Sequence, residues 1–129
     1  MSSNKISVIL VSGELERLQM AAMVASVGAV SGNEVSVFVS MNALRHFVKG
    51  SERPPAEGAF GELIQTKGVP PFKQLFDQAV ELGGAKILPC SMAMDLLGVD
   101  QAQLEPFVGE ATGLTVFLAD GQGGQILSF

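Results

Sequence analysis

The strongest constraint on this chain is an abrupt change of hydrophobic period near its start. Residues 5–11 read Lys-Ile-Ser-Val-Ile-Leu-Val, a β-branched run suited to a buried central strand, and the run ends at Ser12-Gly13. Residues 14–31 then read as a helix with Glu14 and Glu16 in the opening turn, where the helix dipole favours acids. Over residues 20–30 almost every position is apolar, so this helix shows no wide solvent face. Such a helix needs cover on more than one side; the sheet is one cover, and a partner subunit is the expected other.

The same alternation continues along the chain. Gly32-Asn33 stops the helix, and residues 34–39 (Glu-Val-Ser-Val-Phe-Val) form the second strand. Ser40 is suited to cap a short helix running to Val48. Residues 49–69, with Gly50, Pro54-Pro55, Gly58, Gly61 and Gly68, read as a long loop and therefore as a lid or contact loop. Pro70-Pro71 opens a third helix to about Leu82, stopped by Gly83-Gly84. Residues 85–88 are the third strand and 91–97 the helix after it. A turn at 100–104, a weak strand at Phe107-Val108, a final helix over 111–120 and a last strand over 125–129 complete the pattern. This order predicts an α/β fold, a single-domain three-layer sandwich spanning residues 1–129 with about five mostly parallel strands and helices on both faces.

Composition narrows the function classes. The formal net charge is −5 with only 8 Lys plus Arg, and there is no Trp or Tyr, so neither a basic patch nor a base-stacking platform can be assembled and nucleic-acid partners are disfavoured. One cysteine and one histidine exclude an intramolecular disulfide and the common zinc ligand sets, so no metal and no cofactor is expected. Hydrophobic residues make up 47% against 16% charged, a surplus that points to subunit contacts and a homo-oligomer. No apolar run reaches bilayer length, and residues 1–5 carry neither a signal-peptide core nor an Arg-rich transit pattern; a soluble, cytoplasmic protein with no membrane partner is the expectation.

Cys90 carries most of the functional argument. It lies where the strand Lys86-Ile87-Leu88 gives way, through Pro89, to a helix expected to begin at Ser91. Pro89 biases Leu88 to an extended conformation, so the strand runs straight to the turn. Free N–H groups at a helix amino terminus favour negative charge and lower a thiol pKa, and the thiolate is the nucleophilic form. Met94, four residues on, shares a helix face with Cys90, and with Met92 offers soft packing near the sulfur. The plainer reading, a small buried hydrophobe, stays open at this point. Ser12-Gly13 ends the first strand and is expected to form one wall of the Cys90 pocket; it lacks the glycine spacing and lysine of a phosphate loop. His46 is attractive as a base for the thiol, though a surface or interface histidine is the plainer reading, and Arg45 and Lys49 read as solvated charges at a helix end. Asp95 is explained electrostatically by a place in the first helical turn. Met20, Met23 and Met41 read as core rather than as soft-metal ligands, and the loop bearing Phe60 and Phe72 covers either the site or a neighbouring subunit.

Residues 89–98, Pro-Cys-Ser-Met-Ala-Met-Asp-Leu-Leu-Gly, resemble the Cys-x-Met-x-Met-Asp-x-x-Gly signature of the DsrE/DsrF-like sulfur-relay proteins, in the branch whose motif is rich in methionine. The likeness extends to the amino-terminal strand and long apolar helix, to the second strand and to residues 111–120, although only the cysteine motif is specific. The resemblance implies an α/β sandwich that often forms homo-oligomers. It also implies sulfur carried on the motif cysteine, as a persulfide or thiosulfonate, and handed to a partner. Cys90 then takes the carrier position, and Met92, Met94, Asp95 and Gly98 fill the motif's other fixed places, with Ser91 between. Ala93 stands where Ser or Thr is common, so one hydroxyl donor is missing, and Leu97 replaces a frequent Met with similar packing.

The leading expectation is thus a cytoplasmic sulfur carrier with sulfurtransferase-like character, which exchanges small sulfur species with donor and acceptor thiol proteins and needs no second cysteine of its own. A redox-sensing or peroxide-reactive thiol protein, and a non-catalytic assembly module with an inert Cys90, are the alternatives.

Overall fold

The structure, a computed structural model, describes residues 4–129; Met1, Ser2 and Ser3, part of the amino-terminal reading above, lie outside the described residues. Four strands form one sheet: β1 (Lys5–Leu10), β2 (Glu34–Val39), β3 (Lys86–Pro89) and β4 (Gln125–Ser128). All pairings are parallel, and the spatial order is β3-β2-β1-β4. The connections are helical: α1 (Leu15–Val30) joins β1 to β2. Next come α2 (Met41–Leu44), which runs into a 3-10 turn at Arg45–Phe47, then α3 (Ala59–Thr66) and α4 (Phe72–Gly83). Last are α5 (Ser91–Leu97), a 3-10 turn at Gln101–Gln103, and α6 (Leu114–Asp120). This is the expected parallel α/β sandwich, with four strands rather than five.

Strand alternation sorts the sheet into two unlike faces. Ile6, Val8 and Leu10 of β1 align with Val35, Val37 and Val39 of β2, and Ile87 of β3 continues the row. Ile6 and Val35 meet α1 at Gly28, so this face looks toward α1. α1 presents Leu15, Leu18, Ala21, Ala22, Ala25, Gly28 and Ala29 inward. Those small residues let α4 approach closely; a side chain on Gly83 would collide with the Ala29 Cβ. Phe47, fully buried, anchors the same layer against Phe72, Phe76 and Phe107, with ring centroids 6.1, 5.4 and 6.1 Å away. Each large side chain buried here contributes roughly 1.5–3 kcal/mol of transfer free energy. On the other face α6 lays Phe117 against Phe38, centroids 5.2 Å apart.

Four expectations need correcting. The strand expected at Phe107-Val108 does not form. Instead residues 109–112 run extended beside β3, with Gly109 N–H on the Ile87 carbonyl at 2.7 Å and Thr112 N–H on the Pro89 carbonyl at 3.0 Å. Three residues there span what two span in β3, so the ladder is bulged and only the Cys90–Thr112 bridge is regular. For the same reason the last helix begins at Leu114, with Gly113 as its cap, and not at Ala111. The loop expected over residues 49–69 contains α3. Gly61 inside it depresses its intrinsic propensity, and Gly58 and Gly68 flank it, but the Glu16 carboxylate accepts the N–H groups of Glu57, Gly58 and Gly61 at 2.7, 2.8 and 3.1 Å and fixes the helix start from outside. Finally, the second cover of α1 is α4 of the same chain. Met20, Met23, Val27 and Val30 remain as an exposed stripe, Val27 by 66%.

Candidate functional site

Cys90 is the N-cap residue of α5, in extended conformation (φ −72°, ψ 122°), directly after β3. Its own N–H continues the sheet ladder onto the Val39 carbonyl at 2.8 Å, and its carbonyl accepts the Met94 N–H at 3.0 Å. The thiol therefore leaves the chain where β3 becomes helix, as the Pro89 break in the sequence indicates. It is a free thiol, 6% exposed, and no side chain caps α5 in its place. Of the first-turn donors, Ser91 N–H is already bound to the Thr112 carbonyl at 3.1 Å. That leaves the second and third positions, Met92 and Ala93, as the N–H groups that an N-cap atom serves.

The motif residues divide by role. Met94 and Ala93 are buried beneath the turn, whereas Ser91, Met92 and Asp95 are exposed. Asp95 is the fifth residue of α5, beyond the first turn in which it was expected; its carbonyl receives the Gly98 N–H at 3.2 Å. Gly98 ends the helix in the left-handed region (φ 70°), a conformation that costs glycine little, and Val99 N–H closes back on the Met94 carbonyl at 3.1 Å. The fixed glycine of the motif thus sets the length of the helix that starts at the thiol.

Ser12 and Gly13 follow β1, and β2 stands between β1 and β3, so two strand spacings, roughly 10 Å, separate that turn from Cys90. Ser12 Oγ accepts the Glu14 N–H at 3.1 Å, and Gly13 packs against Asn42 and the His46 ring, its Cβ direction 3.2 Å from His46 Nε2. His46 is half-buried, and its Nδ1 has no hydrogen-bond partner among the described residues. Desolvation pushes its pKa below the usual histidine value; a backbone hydrogen bond at Glu52 opposes this, and the positive charges of Lys73 and Arg45 reinforce it. Arg45 and Lys49 are exposed.

Two neighbours of Cys90 carry no plain sequence signal. Met41 opens α2 with φ 53°, the one non-glycine residue with positive φ among those described, and it is exposed. It lies two residues beyond Val39, whose carbonyl holds Cys90 N–H, and α2 packs on α5. Met41 and Met92 are thus both exposed, on the two adjoining helices α2 and α5. Thr112 is the other, placed by the bulged segment beside β3. Among the described residues no group of three or more His, Cys, Asp or Glu is arranged to hold a metal ion, and no helix is long and apolar enough to cross a membrane.

Residues 54–129, which include Cys90, α5 and the 109–112 segment, match the model of the DsrE/DsrF/DrsH-like family. The chain is 25% identical to the uncharacterized protein YrkE of Bacillus subtilis (strain 168), in an alignment covering 98% of this chain and 97% of that protein. Its fold is similar to that of the ychN protein from E. coli, with a TM-score of 0.64, 16% identity, and coverage of 99% of this chain and 100% of that one. A protein of unknown function from Methanobacterium thermoautotrophicum, MTH1491, is similar with a TM-score of 0.61 at 13% identity, over 98% of this chain and 100% of the other.

Proposed function

The chain belongs to the DsrE/DsrF/DrsH-like family, and from that premise we propose that it is a sulfur carrier, with Cys90 taking up sulfane sulfur or thiosulfate and passing it to a partner thiol. The observation that carries this reading is the position of the chain's one cysteine, at the strand-to-helix break ahead of α5 and inside the matched segment. At an N-cap, the side-chain atom serves the N–H groups of the second and third helical residues. A thiolate or a persulfide anion at Cys90 gains from the same donors on Met92 and Ala93, and the soft side chains of Met41 and Met92 suit a polarisable cargo.

Loading is a displacement. The Cys90 thiolate attacks the sulfane sulfur of a donor persulfide, a new S–S bond forms, the donor's S–S bond breaks, and the donor leaves as a thiolate. With tetrathionate the leaving group is thiosulfate, and Cys90 keeps the thiosulfonate. Delivery of a persulfide repeats the step with roles exchanged: the acceptor thiolate attacks the outer sulfur and Cys90 leaves as thiolate. Neither step needs an outside oxidant or a second cysteine in this chain. A reducing cytoplasm keeps such a lone thiol unpaired, and the carrier is assigned there. The apolar stripe on α1 (Met20, Met23, Val27, Val30), with exposed Leu96 and Val116, is read as covered by further copies of the chain. Ser91, Asp95 and Gly98 are then parts of the helix that follows the thiol and not reacting groups, and Ser12 and Gly13, two strands away, are not reacting groups either.

The burial of Cys90 favours a second reading, an inert thiol in an assembly module. Intact mass after incubation with polysulfide or tetrathionate separates the two. The carrier gains sulfur or a thiosulfonate group on the parent and not on Cys90→Ser, and reductant releases it. A native thiol that takes up nothing and resists alkylation supports the inert module.

A further inference from the structure

Cys90 has a hydroxyl residue on each side of it in one row of the sheet's carboxyl edge. β2 and β3 pair with Val39 opposite Pro89, and the ladder runs one residue further, with Cys90 N–H on the Val39 carbonyl at 2.8 Å. That register sets Ser40 opposite Cys90. On the other side Thr112 forms a parallel bridge with Cys90. Ser40 (φ −144°, ψ 177°) and Cys90 are both extended, so strand alternation continues through them. Ser36 of β2, Leu88 of β3 and Thr112 all line the trough on the open face. Ser40 and Cys90 lie an even number of residues beyond Ser36 and Leu88, and therefore face the same side.

The Ser40 hydroxyl has no task in the fold. Ser40 is the N-cap residue of α2, yet its side chain makes no cap hydrogen bond. It is only 3% exposed, and its Oγ has no partner among the described residues. The unpartnered polar atoms that are sealed from solvent are Gln19 Oε1 and His46 Nδ1; Ser40 Oγ is not one of them and keeps an opening. Thr112, half-buried, makes one side-chain hydrogen bond, to the Gly113 carbonyl at 3.5 Å, too long to engage its proton firmly. Native proteins rarely bury hydroxyls without a partner. Each stands one strand spacing, roughly 4.8 Å, from the cysteine, and a group bound one S–S bond, about 2.0 Å, beyond Sγ comes within reach of both.

We propose that Ser40, with Thr112 on the opposite flank, donates its hydroxyl proton to the anionic group carried on Cys90 and so holds the cargo in place. This rests on the carrier reading above and adds to it: Cys90 forms the covalent bond, and the two hydroxyls retain what is bound. Neither hydroxyl takes part in bond exchange. A thiosulfonate reports the effect best, because its three oxygens can accept from both flanks at once.

The test is the second-order rate of uptake by the full chain, read by intact mass, with two reagents. Tetrathionate leaves a thiosulfonate on Cys90 and releases thiosulfate. Methyl methanethiosulfonate leaves a neutral methylthio group and releases methanesulfinate. Ser40→Ala takes up thiosulfonate about tenfold more slowly than the parent, the effect of one hydrogen bond to a charged group, and Thr112→Val does the same. Both variants keep the parent's rate with the neutral reagent. Ser36→Ala, which removes a hydroxyl from the same face of β2, keeps both rates. A Ser40→Ala variant that matches the parent with tetrathionate overturns the proposal and leaves the carrier reading standing. So does one that slows both reagents alike, as a purely structural residue would. A parent that takes up no thiosulfonate also overturns the proposal, and polysulfide loading then judges the carrier reading separately. Thr112→Val decides in the same way where Ser40→Ala fails to fold.

Discussion

The two faces of the sheet solve the problem of burial in different ways. The face toward α1 is closed by two helices packed through small residues, and Val8, Leu10, Val37, Val39 and Ile87 are almost wholly removed from solvent. The opposite face has Phe117 of α6 over Phe38, and beside it a trough of about 450 Å³ lined in part by Lys5, Ser7, Ser36, Lys86 and Leu88. Because strand residues alternate, both environments are written into the same few positions: Ile87 enters the closed face and its neighbour Leu88 the open one. Stability therefore resides on one side. The other side, with exposed Val116 and Leu118 on α6, is left available for contacts. Cys90 sits at the end of β3, where the two faces meet.

The sharpest way to break this contrast is to truncate adjacent residues of β3. Ile87→Ala opens a cavity that the packed α1 and α4 layer cannot collapse into, and it costs about 3 kcal/mol in urea unfolding. Leu88→Ala, facing solvent in part, costs about 1 kcal/mol. Equal losses would mean that the open face is as tightly closed as the other. Next in size is Gly83→Ala, where the new methyl meets Ala29 and forces α4 away from α1, at about 1–3 kcal/mol in the same measurement.

A pH dependence sharpens the comparison further. The 3-10 turn beside α2 holds His46 on the closed side, where desolvation lowers its pKa. Between its folded value and the unfolded value of about 6.5, the unfolded chain binds more protons, so stability falls as pH drops below about 6.5. His46→Gln flattens that part of the profile; an unchanged slope would place the titrating group elsewhere. The smallest effect belongs to the open trough: Lys86→Gln, exposed, changes stability by no more than about 0.5 kcal/mol.

Much of this arrangement is legible in the sequence, for identifiable reasons. The first three strands are continuous β-branched or apolar runs, and α5 is bounded by Pro89 before it and Gly98 after it, so local chemistry decides them. α3 is not legible, because Gly58, Gly61 and Gly68 argue against a helix that Glu16 secures from forty residues away in the chain. The segment expected as a strand at Phe107-Val108 fails because its pairing with β3 starts two residues later and is bulged, a matter of tertiary register. At the site, Cys90 and its position between strand and helix follow from the residues. The separation of Ser12-Gly13 from Cys90 depends on strand order, which no local pattern encodes. Nothing in the sequence marks the left-handed Met41.

The most direct test of the central claim is transfer. Protein loaded with polysulfide, freed of excess reagent and mixed with a small acceptor thiol, is followed by mass spectrometry of both species. Loss of the sulfur from Cys90 matched by appearance of the acceptor persulfide, with none from a Cys90→Ser control, is the predicted result. A parent that never loads, or that loads and releases nothing to the acceptor, would contradict it.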